Sequence, residues 1–483
     1  MVFSSQIFFF YFLPLTLALY YGLPRRGRHL ILTLLSYVFY GWANPLFVVL
    51  LLTTTLINYF CGLKIAGEPL MGGSAAGLQE AGADPRQKKL WLAVSVCTSL
   101  SMLGFFKYFN FTMENYNLLI DALGLSDLKL ETAIRVTLPL GISFYTFHLM
   151  SYTIDVYRGQ AKVLRNIIDF ACYISLFSQL VAGPIIRFRE IADQMAHRTH
   201  TAEKFARGVA FVSLGLAKKV LLANPCGKIA DLVFDAGSRS VVDAWYGLFA
   251  YGFQIYFDFS AYSDMAIGLG LMLGFVFPKN FDSPYLSQSI TEFWRRWHIS
   301  LSTWLRDYLY VPLGGNRKGG VRTYINLAVV MLLGGLWHGA SWNFVIWGGI
   351  HGGMLVIERA QGKDAFYRRM PGPLRVAVTF LIVLIAWVFF RTPDLPAALT
   401  YLGSLLGLAA VQEGAGLLGG VLYQPYYWGT FGLAAVIVWG CPQTWDWTRT
   451  LPLWKAAPIA LALLVSLAVL MTQAYNPFIY FIF

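Results

Sequence analysis

Seven histidines are the side chains of this sequence best suited to moving a proton near neutral pH, and two of them stand out by their surroundings. His338 lies in Trp337-His338-Gly339, where two apolar runs meet inside VRTYINLAVVMLLGGLWHGASWNFVIWGGIHGG, residues 321–353. An imidazole in so apolar a stretch gives up hydration, which makes it a functional candidate by default. Gly334, Gly335, Gly339, Gly348 and Gly349 remove bulk around it, so helices or a ligand can approach the backbone closely. His298 lies in the most charged part of the chain, residues 279–322, within ITEFWRRWHISLSTWLRDYLYVPLGGNRKGG. Phe293, Trp294, Trp297, Leu301, Trp304, Leu305, Tyr308 and Leu309 recur there at helical spacing, with Arg295, Arg296 and Arg306 between them. That pattern predicts a helix at or just below the cytoplasmic interface. A simple anchor has no need of an imidazole, so His298 shifts the balance toward a binding site in which the arginines hold a phosphorylated or acidic ligand. His148 in FYTFHLM and His351 in IHGGM read at least equally well as core histidines satisfied by the backbone, and His29, His197 and His200 as solvated loop residues.

Other chemistries lack their motifs. Gly314 to Gly320, GGNRKGG, is glycine-rich but lacks the GxxxxGK[ST] spacing and follows no strand, so it reads as a tight cytoplasmic turn. There is no GxSxG, no HExxH and no pairing of histidines at metal-ligand spacing; a serine hydrolase or a metal centre is not expected. A nucleophile has to come from elsewhere. The final stretch, AYNPFIYFIF, reads first as an aromatic interfacial anchor. Extended at ~3.4 Å per residue, however, the chain beyond Pro477 reaches about 20 Å, far enough to carry Tyr480 into a half-bilayer cavity.

The elements that must position these residues follow from composition. With 57% hydrophobic and 13% charged residues over 483 positions, the chain reads as an all-α polytopic membrane protein. The net charge of +12 comes from Lys and Arg in short loops, where they set topology, so nucleic-acid binding is not expected. Five cysteines without a CxxC read as packing residues. Residues 1–24 are uncharged and read as a first membrane helix, not a removed signal peptide; Arg25, Arg26 and Arg28 place the loop after it in the cytoplasm. Residues 64–89 read as a flexible cytoplasmic loop. Apolar segments near 30–42, 46–63, 90–109, 134–156, 208–223, 245–277, 323–337, 342–357, 374–390, 396–410, 426–440 and 455–471 make roughly a dozen elements, some of them re-entrant. The run 167–186 has basic residues at both ends and is expected to be a re-entrant pair broken at Gly183-Pro184. One membrane domain therefore covers 1–473, with interfacial or re-entrant helices at 279–322, the candidate catalytic helices at 321–353, and a tail at 474–483.

The chain resembles the membrane-bound O-acyltransferases, and within them the bacterial subgroup that acetylates alginate, cellulose and peptidoglycan. The resemblance runs over nearly the whole length. It is carried by MVFSSQIFFFYFLPL, QLVAGPIIRF, FDFSAYSDMAIGLG, FWRRWHISLSTWLRDYLYVPLGG and GGLWHGASWNFVIWG. It implies a ring of tilted helices around a thinned centre, with a tunnel from a cytoplasmic donor entrance to an outer funnel, in a bacterial inner membrane. It also makes His338 the family's principal histidine and His298 the second, which distant members replace with Asn. The implied donor is acetyl-CoA, as co-substrate with no bound cofactor and no metal, and Arg295, Arg296, Trp297 and Arg306 would bind it. The implied partner is an extracytoplasmic acetyltransferase of a polysaccharide export machinery. The last six residues resemble the F-x-Y-x-x-F tail of small partner proteins of the teichoic-acid D-alanylation relative. That makes Tyr480 an acyl relay, deprotonated by His338. Asn343, the indoles of Trp337 and Trp297, and His298 are all candidates for oxyanion donors. Alternatives are an acyltransferase fed by an acyl carrier protein and acting on teichoic acid or peptidoglycan, and, in another class, a polysaccharide-precursor transporter, for which no internal repeat is found.

Overall fold

The computed structural model describes residues 1–42, 44–68, 84–130, 135–181, 183–362, 369–411 and 416–477, and among these the regular structure is all helix, without a strand. The chain divides into two compact units. Tyr480 and its neighbours 478–483 lie outside the described residues, as does most of the 64–89 loop.

The first unit comprises Met1–Phe205 with Gly270–Phe277. Its helices are α1 (Leu13–Gly22), α2 (Arg28–Gly41), α3 (Leu46–Ala66), α4 (Pro85–Ala122), α5 (Ile142–Tyr157), α6 (Ile167–Ser175), α7 (Phe177–Leu180) and α8 (Phe188–Ala196). α3 stops at Gly67, whose φ of 77° lets its N–H return to the last carbonyls. α4 starts at Asp84, whose carboxylate accepts the Arg86 N–H, with Pro85 in the first turn. The run 167–186 is broken twice: at Leu176, where Ser36 Oγ accepts the Phe177 N–H at 3.0 Å, and again after Leu180, with Gly183-Pro184 in non-helical chain. Residues 183–186 then continue as buried, non-helical chain. Such backbone survives in an apolar interior only if its polar groups are satisfied. α5 supplies the partners from one face: His148 Nε2, Ser151 Oγ and Asp155 Oδ2 accept the N–H groups of Ile186, Phe188 and Arg189 at 3.3, 3.2 and 3.0 Å. His29 and His200 are not solvated as the sequence suggests. His29 is held between Asp169 and Arg198, each at 2.6 Å, and His200 meets the Tyr20 hydroxyl at 2.8 Å, because Arg198 and Tyr20 fold the basic loop onto the unit.

The second unit comprises Ala206–Leu269 and Pro278–Phe483. α9 (Ala202–Ala217) passes through a π-helical turn, Lys218–Ala223, into α10 (Asn224–Phe234), followed by α11 (Val241–Met272), α12 (Ile290–Arg296) and α13 (Ile299–Leu305). Then come α14 (Gly320–His338), α15 (Trp342–Gln361), α16 (Gly372–Arg391), α17 (Leu395–Leu405), α18 (Gly416–Leu422), α19 (Pro425–Gly440), α20 (Thr444–Trp447) and α21 (Leu453–Thr472). Its core is unusually aromatic, with Tyr256, Phe257, Phe293, Trp297, Trp347, Trp387 and Phe390 all buried together. α14 and α15 form a tight hairpin. A Cβ on Gly335 would stand 2.2 Å from the Phe344 carbonyl oxygen, and one on Gly348 2.5 Å from that of Met331, so both positions require glycine. Gly334 and Gly349, by contrast, make only ordinary contacts.

Five described helices, α3, α4, α14, α16 and α21, are long and apolar enough to cross a membrane, fewer than the dozen segments expected. Breaks and π turns account for part of the difference, since several segments are divided into pieces too short to span. The helix expected over 293–309 is likewise divided. It is two short helices, α12 and α13, separated at Trp297–His298 and continued by a π turn, Arg306–Tyr310. Its aromatic face packs inside the protein: Phe293, Trp294, Trp297, Trp304 and Tyr308 are all buried.

Candidate active site

His338 is the last residue of α14, and Ser341 caps α15 only three positions later by accepting the Asn343 N–H at 3.2 Å. The short link holds the imidazole where the C-terminal end of α14 meets the N-terminal end of α15. Three rings meet His338 edge-on: Trp337, Trp347 and Phe390, with centroids 4.9, 5.1 and 5.2 Å away. Gly339 is what lets the next turn close, since a Cβ there would enter the Phe344 ring at 2.0 Å. His338 is 9% exposed, so its site is largely shielded from bulk solvent.

His298 is fully buried and adopts φ 43° and ψ 55°, one of two non-glycine residues with positive φ among those described. A left-handed imidazole-bearing residue is costly and persists only where its surroundings impose it. Asn280 does so. Its carbonyl accepts Ile299 N–H at 2.9 Å, and its Oδ1 accepts Ser300 N–H and Oγ–H at 3.1 and 2.9 Å while lying 3.3 Å from His298 Nδ1. Phe259 of α11 meets the ring edge-on at 4.5 Å. Nε2 is buried and has no hydrogen-bond partner among the described residues. Trp337 stands between the two histidines, its ring 6.4 Å from His298 and 4.9 Å from His338.

The remaining candidates separate. Trp297 is core: it stacks on Phe293 at 5.5 Å and packs against Trp387 at 5.2 Å. Arg296 is tied to Glu292 at 2.8 Å and to the Asp282 carbonyl at 3.1 Å, and Arg306 to Asp307 at 2.7 Å. Arg295 is exposed, on a different face of α12 from the buried Phe293 and Trp294. Asn343 does not offer its amide to the site. Its Nδ2 donates to the carbonyl and hydroxyl of Thr392 at 2.9 and 3.1 Å, leaving the acceptor Oδ1 without a partner among the described residues.

Two residues of α15 were undervalued from sequence. Trp347, packed on His338, has a buried indole N–H with no acceptor among the described residues. His351, one turn further, accepts the Trp294 N–H at Nδ1 over 3.2 Å, so in its neutral form it carries its proton on Nε2. The spacing of Asn343, Trp347 and His351, four apart on one helix face, was the available signal. Glu358, further along α15, accepts the N–H groups of Ile290 and Thr291 at 2.7 and 2.9 Å and so fixes the start of α12.

Residues 87–392, which include both histidines, match the model of the membrane-bound O-acyltransferase family. Among curated relatives, the probable alginate O-acetylase AlgI of Pseudomonas putida is 45% identical over 505 aligned positions that cover all of both chains. The corresponding protein of Azotobacter vinelandii is 50% identical over 398 positions, 82% of this chain and 76% of the relative. A peptidoglycan O-acetyltransferase of Helicobacter pylori is 37% identical over 448 positions, 85% and 81% of the two chains. The chain thus belongs to the membrane-bound O-acyltransferase family, as a multi-pass membrane enzyme that transfers acyl groups to oxygen.

Proposed function

We propose that this chain is a polysaccharide O-acetyltransferase of a bacterial inner membrane. It takes acetyl groups from cytoplasmic acetyl-CoA and delivers them, through an extracytoplasmic acetyltransferase, to an exported polymer of the alginate type. One observation carries the chemistry: His338, ringed by Trp337, Trp347 and Phe390, shares Trp337 with the buried His298. The names of the relatives, alginate and peptidoglycan O-acetylases, support acetyl as the group and a polysaccharide as the acceptor.

In this reading His338 takes the phenolic proton of Tyr480, and the phenolate attacks the thioester carbonyl. The carbon–sulfur bond breaks, and the CoA thiolate leaves with the proton held by the imidazolium. Acetyl-Tyr480 then passes its acyl group to the next hydroxyl, and the phenol is regenerated. A phenol of ordinary pKa about 10 leaves more readily than a sugar alkoxide, so the ester stays activated for onward transfer. The indole N–H of Trp347 supports the oxyanion better than Asn343, whose donors point to Thr392. Arg295, exposed on α12, is the arginine best placed to meet an anionic donor.

The test is peptide mass spectrometry of purified protein supplied with isotopically labelled acetyl-CoA, for wild type, His338→Ala and Tyr480→Phe. Label on Tyr480 that depends on His338 is expected. Release of CoA when an acceptor is added, with the label on the acceptor and none on the protein, would establish direct transfer and remove the relay. Activity with an acetylated carrier protein and none with acetyl-CoA would replace the donor.

A further inference from the structure

Residues 473–477, where the tail begins, are held by buried polar side chains of the second unit. Lys219, in the π-helical turn after α9, has its ammonium 2.8 Å from Asp258 of α11, both side chains 1% exposed. The same ammonium donates to the carbonyl of Pro477. Asn224, fully buried at the start of α10, directs Nδ2 to Gln473 Oε1, the Tyr475 carbonyl and Asn476 Oδ1 at 3.0, 3.3 and 3.3 Å. The Tyr475 hydroxyl donates to Asp231, and the Lys228 ammonium lies 5.3 Å from the Tyr475 ring centre. Burial, and then the neighbouring Asp231 carboxylate, push the Tyr475 phenol well above its ordinary pKa, so it remains a donor.

A buried ion pair is a poor device for stability, because an apolar pair of similar volume often serves the fold as well. What Lys219 and Asp258 provide that apolar residues do not is a charged donor for a main-chain carbonyl. Pro477 has no N–H, so that carbonyl is its only backbone hydrogen-bonding group. The place of the anchor matters too. Asp258 directly precedes Phe259, whose ring lies 4.5 Å from His298. From Pro477 to Tyr480 is three residues, about 10 Å of extended chain.

We infer that Lys219 is a positioning residue for acyl transfer: with Asp258 and Asn224 it latches residues 473–477 beside the part of α11 that touches His298, and so sets the point from which the tail starts. Its effect on catalysis rests on the relay reading for Tyr480; the latch itself does not.

The experiment uses the full-length protein in nanodiscs and the double variant Lys219→Met with Asp258→Leu. The single Lys219→Met substitution would strand a carboxylate in the core, whereas the double variant removes both charges and keeps the volume. Hydrogen exchange of the C-terminal peptide, the thermal midpoint, and kcat and KM for acetyl-CoA are measured together. Losing a charged hydrogen bond to the backbone is expected to speed exchange at residues 473–476 by about tenfold or more, with the midpoint held. kcat is expected to fall by at least about tenfold with KM unchanged, because the donor site is intact while the tail is misplaced. Wild-type exchange in the double variant would overturn the latch, and fast exchange with wild-type kcat would overturn the positioning role. Full activity of Tyr480→Phe would remove the relay alone, and the exchange result would still decide the latch.

Discussion

His148 on α5 and His298 between α12 and α13 are both completely buried, and both lie against aromatic rings, yet they leave opposite kinds of nitrogen to their surroundings. At His148 the Ile186 N–H points at Nε2, so the neutral ring carries its proton on Nδ1 and its acceptor is already in use. At His298 the Ser300 N–H identifies Asn280 Oδ1 as an acceptor, so the facing Nδ1 carries the proton and the lone pair of Nε2 is the atom without a partner among the described residues. A ring with an open lone pair can take a proton or a hydrogen bond from a ligand. A ring that must hold a backbone N–H cannot do so without exposing that group. The backbones differ in the same sense, one in mid-helix and the other forced into the left-handed region. Burial therefore does not set the two histidines apart; the nitrogen left over does.

The largest expected effect is at His338, the base of the proposed mechanism. His338→Ala is expected to lower acetyl transfer by about 10²–10⁴-fold, the usual contribution of a general base, while the folded protein persists in thermal and size-exclusion assays. Retained turnover would remove the base assignment. A second experiment bears directly on the contrast. His298→Asn keeps a residue that tolerates the left-handed conformation but deletes the open Nε2, and should cost roughly 10²-fold in kcat with little change in stability. His148→Leu should do the reverse, costing about 1–3 kcal/mol of stability through the orphaned Ile186 N–H and leaving turnover per folded molecule unaltered. If both substitutions act on stability alone, the two sites are alike and the distinction fails.

Much of this was legible in the sequence, and what was not has a common physical cause. The apolar segments expected at 323–337, 342–357 and 374–390 are found as α14, α15 and α16 with ends shifted by only a few residues, because long apolar runs bounded by charge or glycine leave little choice. His338 and His298 stood out because an imidazole contrasts with apolar and aromatic neighbours. The break at His298 did not, since the helical spacing of Phe293, Trp297 and Leu301 continues through it and no glycine or proline marks it. What imposes the break is Asn280, eighteen positions upstream, a tertiary contact invisible to periodicity. The pairing of the arginines was legible too. Glu292 and Arg296 are spaced as an i,i+4 pair and Asp307 adjoins Arg306, so two of the three charges had local partners in plain view. Trp347 was hidden by its ordinariness, one indole in an aromatic-rich helix whose N–H becomes notable only once its surroundings are known.

The smallest expected effect is at Asn343, where the same reasoning about donors and acceptors applies to an amide. As a direct oxyanion donor, Asn343 would lose about 10²–10³-fold in kcat on replacement by Ala, with stability unaffected. The geometry predicts otherwise. Both hydrogen bonds of Nδ2 go to Thr392, two residues beyond Phe390, which packs on His338 at 5.2 Å. Asn343→Ala should therefore cost about 1 kcal/mol of stability and less than about tenfold in kcat, through a loosened end of α16. Asn343→Asp should be worse than Ala. An ionised Asp has only acceptor oxygens to set against the Thr392 carbonyl, so that carbonyl would go unsatisfied beside a buried charge. A thermal midpoint that falls in the order wild type, Ala, Asp, with kcat tracking it weakly, places Asn343 behind the site. The opposite pattern, an unchanged midpoint and a hundredfold loss of kcat in Ala, would return it to the oxyanion and leave Trp347 as packing.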